Sequence, residues 1–219
     1  MKIDPKLSAD AVISHKEPSR RFLTTDRIIA IGASTGGTEA IKELLMVLPA
    51  DTPGIVISQH IPEAFSAPFA RRMDTVSAMH VAQAEDGQQI IPGHVYIAPG
   101  DRHLLVERSG AQYICRLNNG PPVNRHRPSV DVMFRSLAQN AGPNTIGVIL
   151  TGMGDDGARG IREMRDAGAH TIAQDEKTSV VWGMPGSAVE RGGVEQVLPL
   201  PKIAEAVLRC ITADDKKRK

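Results

Sequence analysis

Apolar residues in this chain gather in short blocks rather than long spans. Runs rich in Ile and Val occur at 27–31 (RIIAI), 54–58 (GIVIS), 94–98 (HVYIA), 145–150 (TIGVIL) and 170–174 (HTIAQ). Their length and β-branched content read as strands. Helical spacing separates several of them, over 38–47 closed by Pro49, 129–140 closed by Gly142, 157–167 closed by Gly168, 187–191 and 202–211. Strand then helix, repeated, is the pattern of a sheet covered by helices on both faces. The segment 103–117, HLLVERSGAQYICRL, differs: two alternating runs flank Ser109-Gly110, the signature of an antiparallel hairpin. The predicted fold is therefore α/β, a single doubly wound, mostly parallel sheet with helices on both faces and an antiparallel hairpin at its edge. Residues 1–26, with mixed charge and little periodicity, read as a linker-like arm, 27–213 as the domain, and 214–219 as a charged, solvated tail.

Composition narrows the class. At 219 residues and 41% hydrophobic, the chain can bury one sizeable core. Aromatic residues make up only 3%, so that core is built from aliphatic side chains, Met and Ala, with Gly where elements pack closely. Twenty-six basic residues against 25 acidic ones leave a net charge of +1. No basic stripe with interleaved aromatics occurs, which argues against nucleic acid as a partner. Cys115 and Cys210 lie far apart and outside any C-x-x-C spacing; they read as buried thiols of a reduced protein. No apolar run approaches the ~18 residues of a membrane span, and the first 21 residues lack the apolar centre of a signal peptide. The expected setting is cytoplasmic, without membrane insertion.

In an open parallel sheet, chemistry collects where the strands end. The first run delivers Ser34 inside Gly32-Ala33-Ser34-Thr35-Gly36, a G-x-S-x-G turn whose glycines permit a sharp strand-to-helix bend that lifts the hydroxyl clear. The second delivers His60. TIGVIL delivers Asp155 and Asp156 in the glycine-rich TGMGDDGARG. Adjacent strands lie ~4.8 Å apart, so three such loops can bring a hydroxyl, an imidazole and a carboxylate within hydrogen-bond reach. Other readings stand beside this one. A glycine-serine turn after a first strand can cradle phosphate, although GASTGG fits neither G-x-G-x-x-G nor G-K-[ST]. Asp155 and Asp156 also fit a helix N-cap or a Mg²⁺ pair. The local cluster His126, Ser129, Asp131 in RHRPSVDVMF is a rival triad, but its members come from one segment, with Ser129 placed as the N-cap of a helix. Arg71, Arg72, Arg125 and Arg127 are candidate contacts to an acidic substrate surface, or simply a solvated face.

Six motifs in order, IGASTGG, QH, YIAPG, HRPSVD, ILTGMGDDGARG and AQDEKTSVVWGMP, resemble the catalytic domain of the CheB family of chemotaxis protein-glutamate methylesterases over about residues 27–211. The resemblance implies Ser34 as nucleophile, His60 as base and Asp156, rather than Asp155, as the residue that orients it. It further implies that the N–H of Met153 helps hold the oxyanion, that Thr35 lines the site, and that no metal or cofactor takes part. The implied substrates are glutamate γ-methyl esters on the cytoplasmic helical bundle of methyl-accepting chemoreceptors, with release of methanol, and receptor glutamines by deamidation. Family members of the pathway carry an N-terminal receiver domain phosphorylated by the chemotaxis histidine kinase. No receiver lies within these residues, and 1–26 resemble its linker, so the chain reads as an excised catalytic domain, with a short natural homologue as the alternative.

Overall fold

The computed structural model describes residues 6–16 and 26–217. The remainder of the predicted arm and tail, 1–5, 17–25 and 218–219, lies outside the described residues. Seven parallel strands form one sheet: β1 Ile28–Ala33, β2 Gly54–Gln59, β3 His80–Gln83, β4 His94–Ile97, β7 Thr145–Ile149, β8 His170–Gln174 and β9 Gln196–Leu198. Their order is β3-β4-β2-β1-β7-β8-β9. Two further strands, β5 His103–Ser109 and β6 Gln112–Asn118, pair antiparallel through a turn in which Gly110 has φ +62°.

β1 sits in the middle, and its side chains alternate between two cores. Ile29, Ile31 and Ala33 face α1 Gly37–Val47, α2 Glu63–Asp74 and α6 Leu200–Lys217; Ile28 and Ala30 face α3 Val130–Asn140, α4 Ala158–Asp166 and α5 Gly183–Glu190. Every β1 residue is buried. A strand covered on both sides has no room for polar positions, which is why its sequence is continuously apolar.

The hairpin is present but not on the sheet's edge. It forms a separate two-stranded sheet whose Leu104, Val106, Tyr113 and Cys115 join the core around α3. One outer edge of it is satisfied locally: Cys115 N–H donates to Gln88 O, and the N–H groups of Gly87 and Ile90 donate to Cys115 O and Tyr113 O, each at 2.8 Å. The sheet's edges belong instead to β3 and β9, short strands with few fully buried side chains that periodicity does not reveal. α2 was equally hidden, because Pro68 stands inside it and proline is read as a helix breaker. α5 begins earlier than expected, and α6 runs past 211 into the predicted tail.

Part of the arm packs on the body. Ala9 lies in a small apolar cluster with Leu105, Val123 and Val132. Asp10 accepts from buried Arg135 at 2.7 Å, whose other nitrogens hold Glu163 of α4. α3 is thus enclosed by sheet, hairpin and arm, which accounts for the unbroken burial of Val130 to Ala138.

Candidate active site

After β1 the chain continues to β2 on one side of it, then returns to β7 on the other. This reversal makes a crevice at the strands' carboxyl ends. The three loops that supply the candidate residues leave β1, β2 and β7 beside it.

The β1 exit depends on two glycines. Gly36 has φ +80° and starts α1 from the left-handed region, which a side chain would strain. A Cβ on Gly32 would come within 2.2 Å of Val130 Cγ1. Between them Ser34 is held by its backbone, donating to Thr151 O at 3.0 Å and accepting from Gly37 N–H at 2.8 Å. The β1–β2 register matches Ala33 with Gln59, and Ser34 and His60 are the next residues out of these two neighbouring strands. Buried Gln59 braces the two exits, donating through Nε2 to the carbonyls of Ser34, 2.9 Å, and His60, 3.0 Å.

Asp156, on the β7 loop, is 1% exposed. Its Oδ2 lies 2.7 Å from His60 Nε2 and accepts the Val130 N–H at 2.7 Å. Its Oδ1 accepts from Ser129 Oγ at 2.8 Å, from Asn124 Nδ2 at 2.7 Å and from the Asp131 N–H at 3.2 Å. Burial by itself raises the carboxyl pKa, but the hydrogen bonds and charge of His60, with Asn124 and Val130, outweigh it and hold Asp156 below its usual range. The carboxylate also sits at the positive end of α3. Ser129 occupies the predicted N-cap position, yet makes no side-chain cap; its hydroxyl serves Asp156, which takes the first helix N–H groups in its place.

The His60 ring is stacked on His126, with centroids 3.7 Å apart and planes 11° from parallel. Its Nδ1 is buried and has no hydrogen-bond partner among the described residues. Burial, then the neighbouring His60, lowers the pKa of His126. His103, fully buried beneath this layer, accepts the Ser129 N–H, and its burial lowers its pKa. The cluster set aside as a rival triad, His126, Ser129 and Asp131, thus surrounds Asp156 and His60. Its signal was the density of polar residues ahead of a helix start, and Asn124 and Gln59 carried no signal of their own.

Ser34, Thr35, Arg125, His126, Met153 and Asp156 line an open cleft of about 340 Å³. His60 and Arg127 line the adjoining hollow beyond His126. Arg127 already donates to the carbonyls of Asn119 and Gly120. Arg71 and Arg72 stand outside the cleft in the last turn of α2, where Arg72 pairs with Glu39 at 2.6 Å. Asp155 lines the same cleft, a third exposed, where it pairs with Lys6 and, at 3.9 Å, Arg191. Met153 is 66% exposed, and its N–H donates to no described residue. Among the described residues no cluster of three or more His, Cys, Asp or Glu is arranged to hold a metal ion, and no helix is long and apolar enough to cross a membrane.

Comparison with known proteins gives a consistent result. The CheB methylesterase family profile matches residues 29–207. A protein-glutamate methylesterase/protein-glutamine glutaminase of Hydrogenovibrio crunogenus is 61% identical over 210 residues, covering 96% of this chain and 56% of the relative. One from Geobacter metallireducens is 58% identical over 200 residues, covering 91% and 54%. The chain therefore spans about half the length of these curated relatives. The crystal structure of the Thermotoga maritima CheB methylesterase catalytic domain superposes with a TM-score of 0.82 at 40% identity, over 84% of this chain and 98% of that one.

Proposed function

The chain belongs to the CheB methylesterase family, and from that premise we propose that it is a serine hydrolase that removes methyl groups from glutamate γ-esters of chemoreceptors and deamidates receptor glutamines. The observation that carries the reading is the state of His60. Asp156, held as an anion, accepts from Nε2 at 2.7 Å; that fixes the proton on Nε2 and leaves the lone pair on buried Nδ1. In this reading the Ser34 hydroxyl, one residue beyond β1, passes its proton to Nδ1.

Ser34 attacks the ester carbonyl while His60 Nδ1 takes its proton, and the imidazolium so formed is stabilised by Asp156. Met153 and Thr35 both line the cleft, and in this reading the Met153 N–H holds the developing oxyanion; one such donor is worth ~10²–10³ in rate. His60 then returns the proton to the departing methanol. Water, deprotonated by His60 in turn, releases the glutamate. A glutamine side chain follows the same path with ammonia leaving. The cleft is open to the surface rather than enclosed, which suits a side chain presented on a folded helix. Arg125 and Arg127 flank it as contacts for an acidic receptor surface. In this reading residues 27–213 are the catalytic domain, acting in the cytoplasm, and 1–26 a linker-like arm.

The test is methanol release from membranes bearing methylated chemoreceptors. Ser34→Ala is expected to lower turnover by at least ~10³ while leaving the circular dichroism and melting temperature unchanged. Substantial residual turnover would overturn Ser34 as nucleophile.

A further inference from the structure

One buried charged residue beside the site has no part in the relay. Asp131 is 3% exposed and stands in the first turn of α3. Its Oδ1 accepts the Gly160 N–H at 2.7 Å, at a contact between α3 and α4 so close that a Cβ on Gly160 would meet the Asp131 carbonyl at 3.0 Å. Its Oδ2 accepts from Asn124 Nδ2 at 2.7 Å. The same nitrogen donates at 2.7 Å to Asp156 Oδ1. Both acceptors are carboxylate oxygens, so only the NH₂ end of the Asn124 amide satisfies them and each N–H is spoken for.

The backbone is shaped for this bridge. Asn124 has φ +51° and Arg125 φ +70°, in the left-handed region that most residues avoid and Asn tolerates. Backbone bonds between Val123 and His126 in both directions, 3.0 and 2.8 Å, and one from the Asn124 N–H to Leu7 O of the arm, 2.8 Å, fix the loop there. Without the bridge, two buried carboxyl groups would face each other across Asn124. Burial and the charge of Asp156 already push Asp131 up to about 6, which shows how weakly the pocket supports a second anion.

We propose that Asn124 and Asp131 are positioning residues for the reaction: Asp131 aims the Asn124 amide, and that amide both locks the Asp156 carboxylate in the plane that meets His60 and offsets the repulsion between the two acids. The inference rests on the serine hydrolase reading and adds to it a reason why Asp156 meets His60 as an anion. The charged and titratable groups around the pair are His60 from the β2 exit, His126 from the loop before α3, His103 from β5, Glu163 from α4, and Lys6 of the arm over Asp155.

The decisive variant is Asn124→Gly, since glycine keeps the left-handed backbone and the N–H to Leu7 while removing only the amide. Its pH profile of kcat/KM on methylated receptors is compared with wild type and with Asn124→Gly/Asp131→Asn. A hydrogen bond to a charged group is worth roughly tenfold or more. The expected result is therefore kcat lowered about tenfold with KM unchanged, and an acid limb moved up by about one pH unit, because loss of the donor favours protonation of the Asp156–His60 unit. Adding Asp131→Asn removes the repelling charge and moves the limb back toward wild type. An acid limb that coincides with wild type in Asn124→Gly, or one that the second substitution leaves displaced, overturns the proposal. A merely structural role would change the melting temperature or kcat at every pH without moving the limb.

A second measurement stands apart from turnover. In ¹³C carboxyl titrations of the full chain, Asp131 and Asp156 together take up their first proton at higher pH in Asn124→Gly than in wild type; coincident titrations overturn the inference. Should wild type release no methanol, the hydrolase reading falls while these titrations still decide the bridge.

Discussion

Asp155 and Asp156 are chain neighbours in opposite surroundings. One side chain is a third exposed and pairs with Lys6 and Arg191; the other is buried, with five donors on its two oxygens. Replacing Asp156 by Asn puts an NH₂ group against donors and removes the anion that fixes the His60 tautomer, so a loss of ~10³–10⁴ in kcat is expected. Asp155→Asn breaks only partly exposed pairs at the cleft's rim, each worth at most about 1 kcal/mol, and leaves the His60 contact intact, so its effect on activity is expected to be mild. Methanol release by the two variants checks this, and the reverse ranking would refute the assignment. From the residues alone both aspartates suited a helix cap, a cation or a triad; only the resemblance chose between them. What separates them physically is which side chain turns inward to the start of α3, and sequence spacing does not encode that.

At the scale of elements, α3 does more than cover the sheet. Its N-terminus anchors Asp156, its Val130 packs so tightly on Gly32 that no Cβ fits there, and its outer face carries the hairpin and the arm. The arm reads in sequence as linker-like, since its periodicity is weak. Its buried anchor is Ala9, set among Leu105, Val123 and Val132 with Val12 and Ile13 packed beside it, and Arg135 joins Asp10 and the Ile13 carbonyl to Glu163. Ala9→Asp would bury an unpaired charge in that cluster. The arm is expected to detach, with rapid proteolysis within 6–16 and a loss of about 1–3 kcal/mol in urea denaturation; an unchanged cleavage pattern would count against this docking. Long, strongly patterned helices and central strands were legible, because two-sided burial writes itself into every position. β3, β9 and α2 were not: the first two are short edge strands, and the third runs through a proline.

For the whole molecule, two buried acids with opposed shifts shape stability against pH. Asp131, pushed up to about 6 by burial and by Asp156, contributes stability that is complete below the ordinary carboxylate pKa of ~3.9 and is lost as pH rises through about 6. Asp156, held low, contributes stability that is present above the ordinary carboxylate pKa and lost as pH falls through its depressed one. Asp131→Asn removes the first of these. Whatever the substitution costs outright, its effect on folding is expected to be more favourable at pH 8 than at pH 4, by up to about 3 kcal/mol, measured by urea denaturation at both. A pH-independent difference would refute the raised pKa. The chain by itself determined the α/β class, the central strands, the G-x-S-x-G turn and the three strand exits, because burial and backbone bending leave direct traces in residue type. The tertiary structure decided that the hairpin pairs apart from the sheet, that the arm docks on α3, and that Asn124, Ser129 and Asp131 converge on Asp156. Those facts follow from elements distant in sequence competing for the same edges and donors, and no local pattern records the outcome.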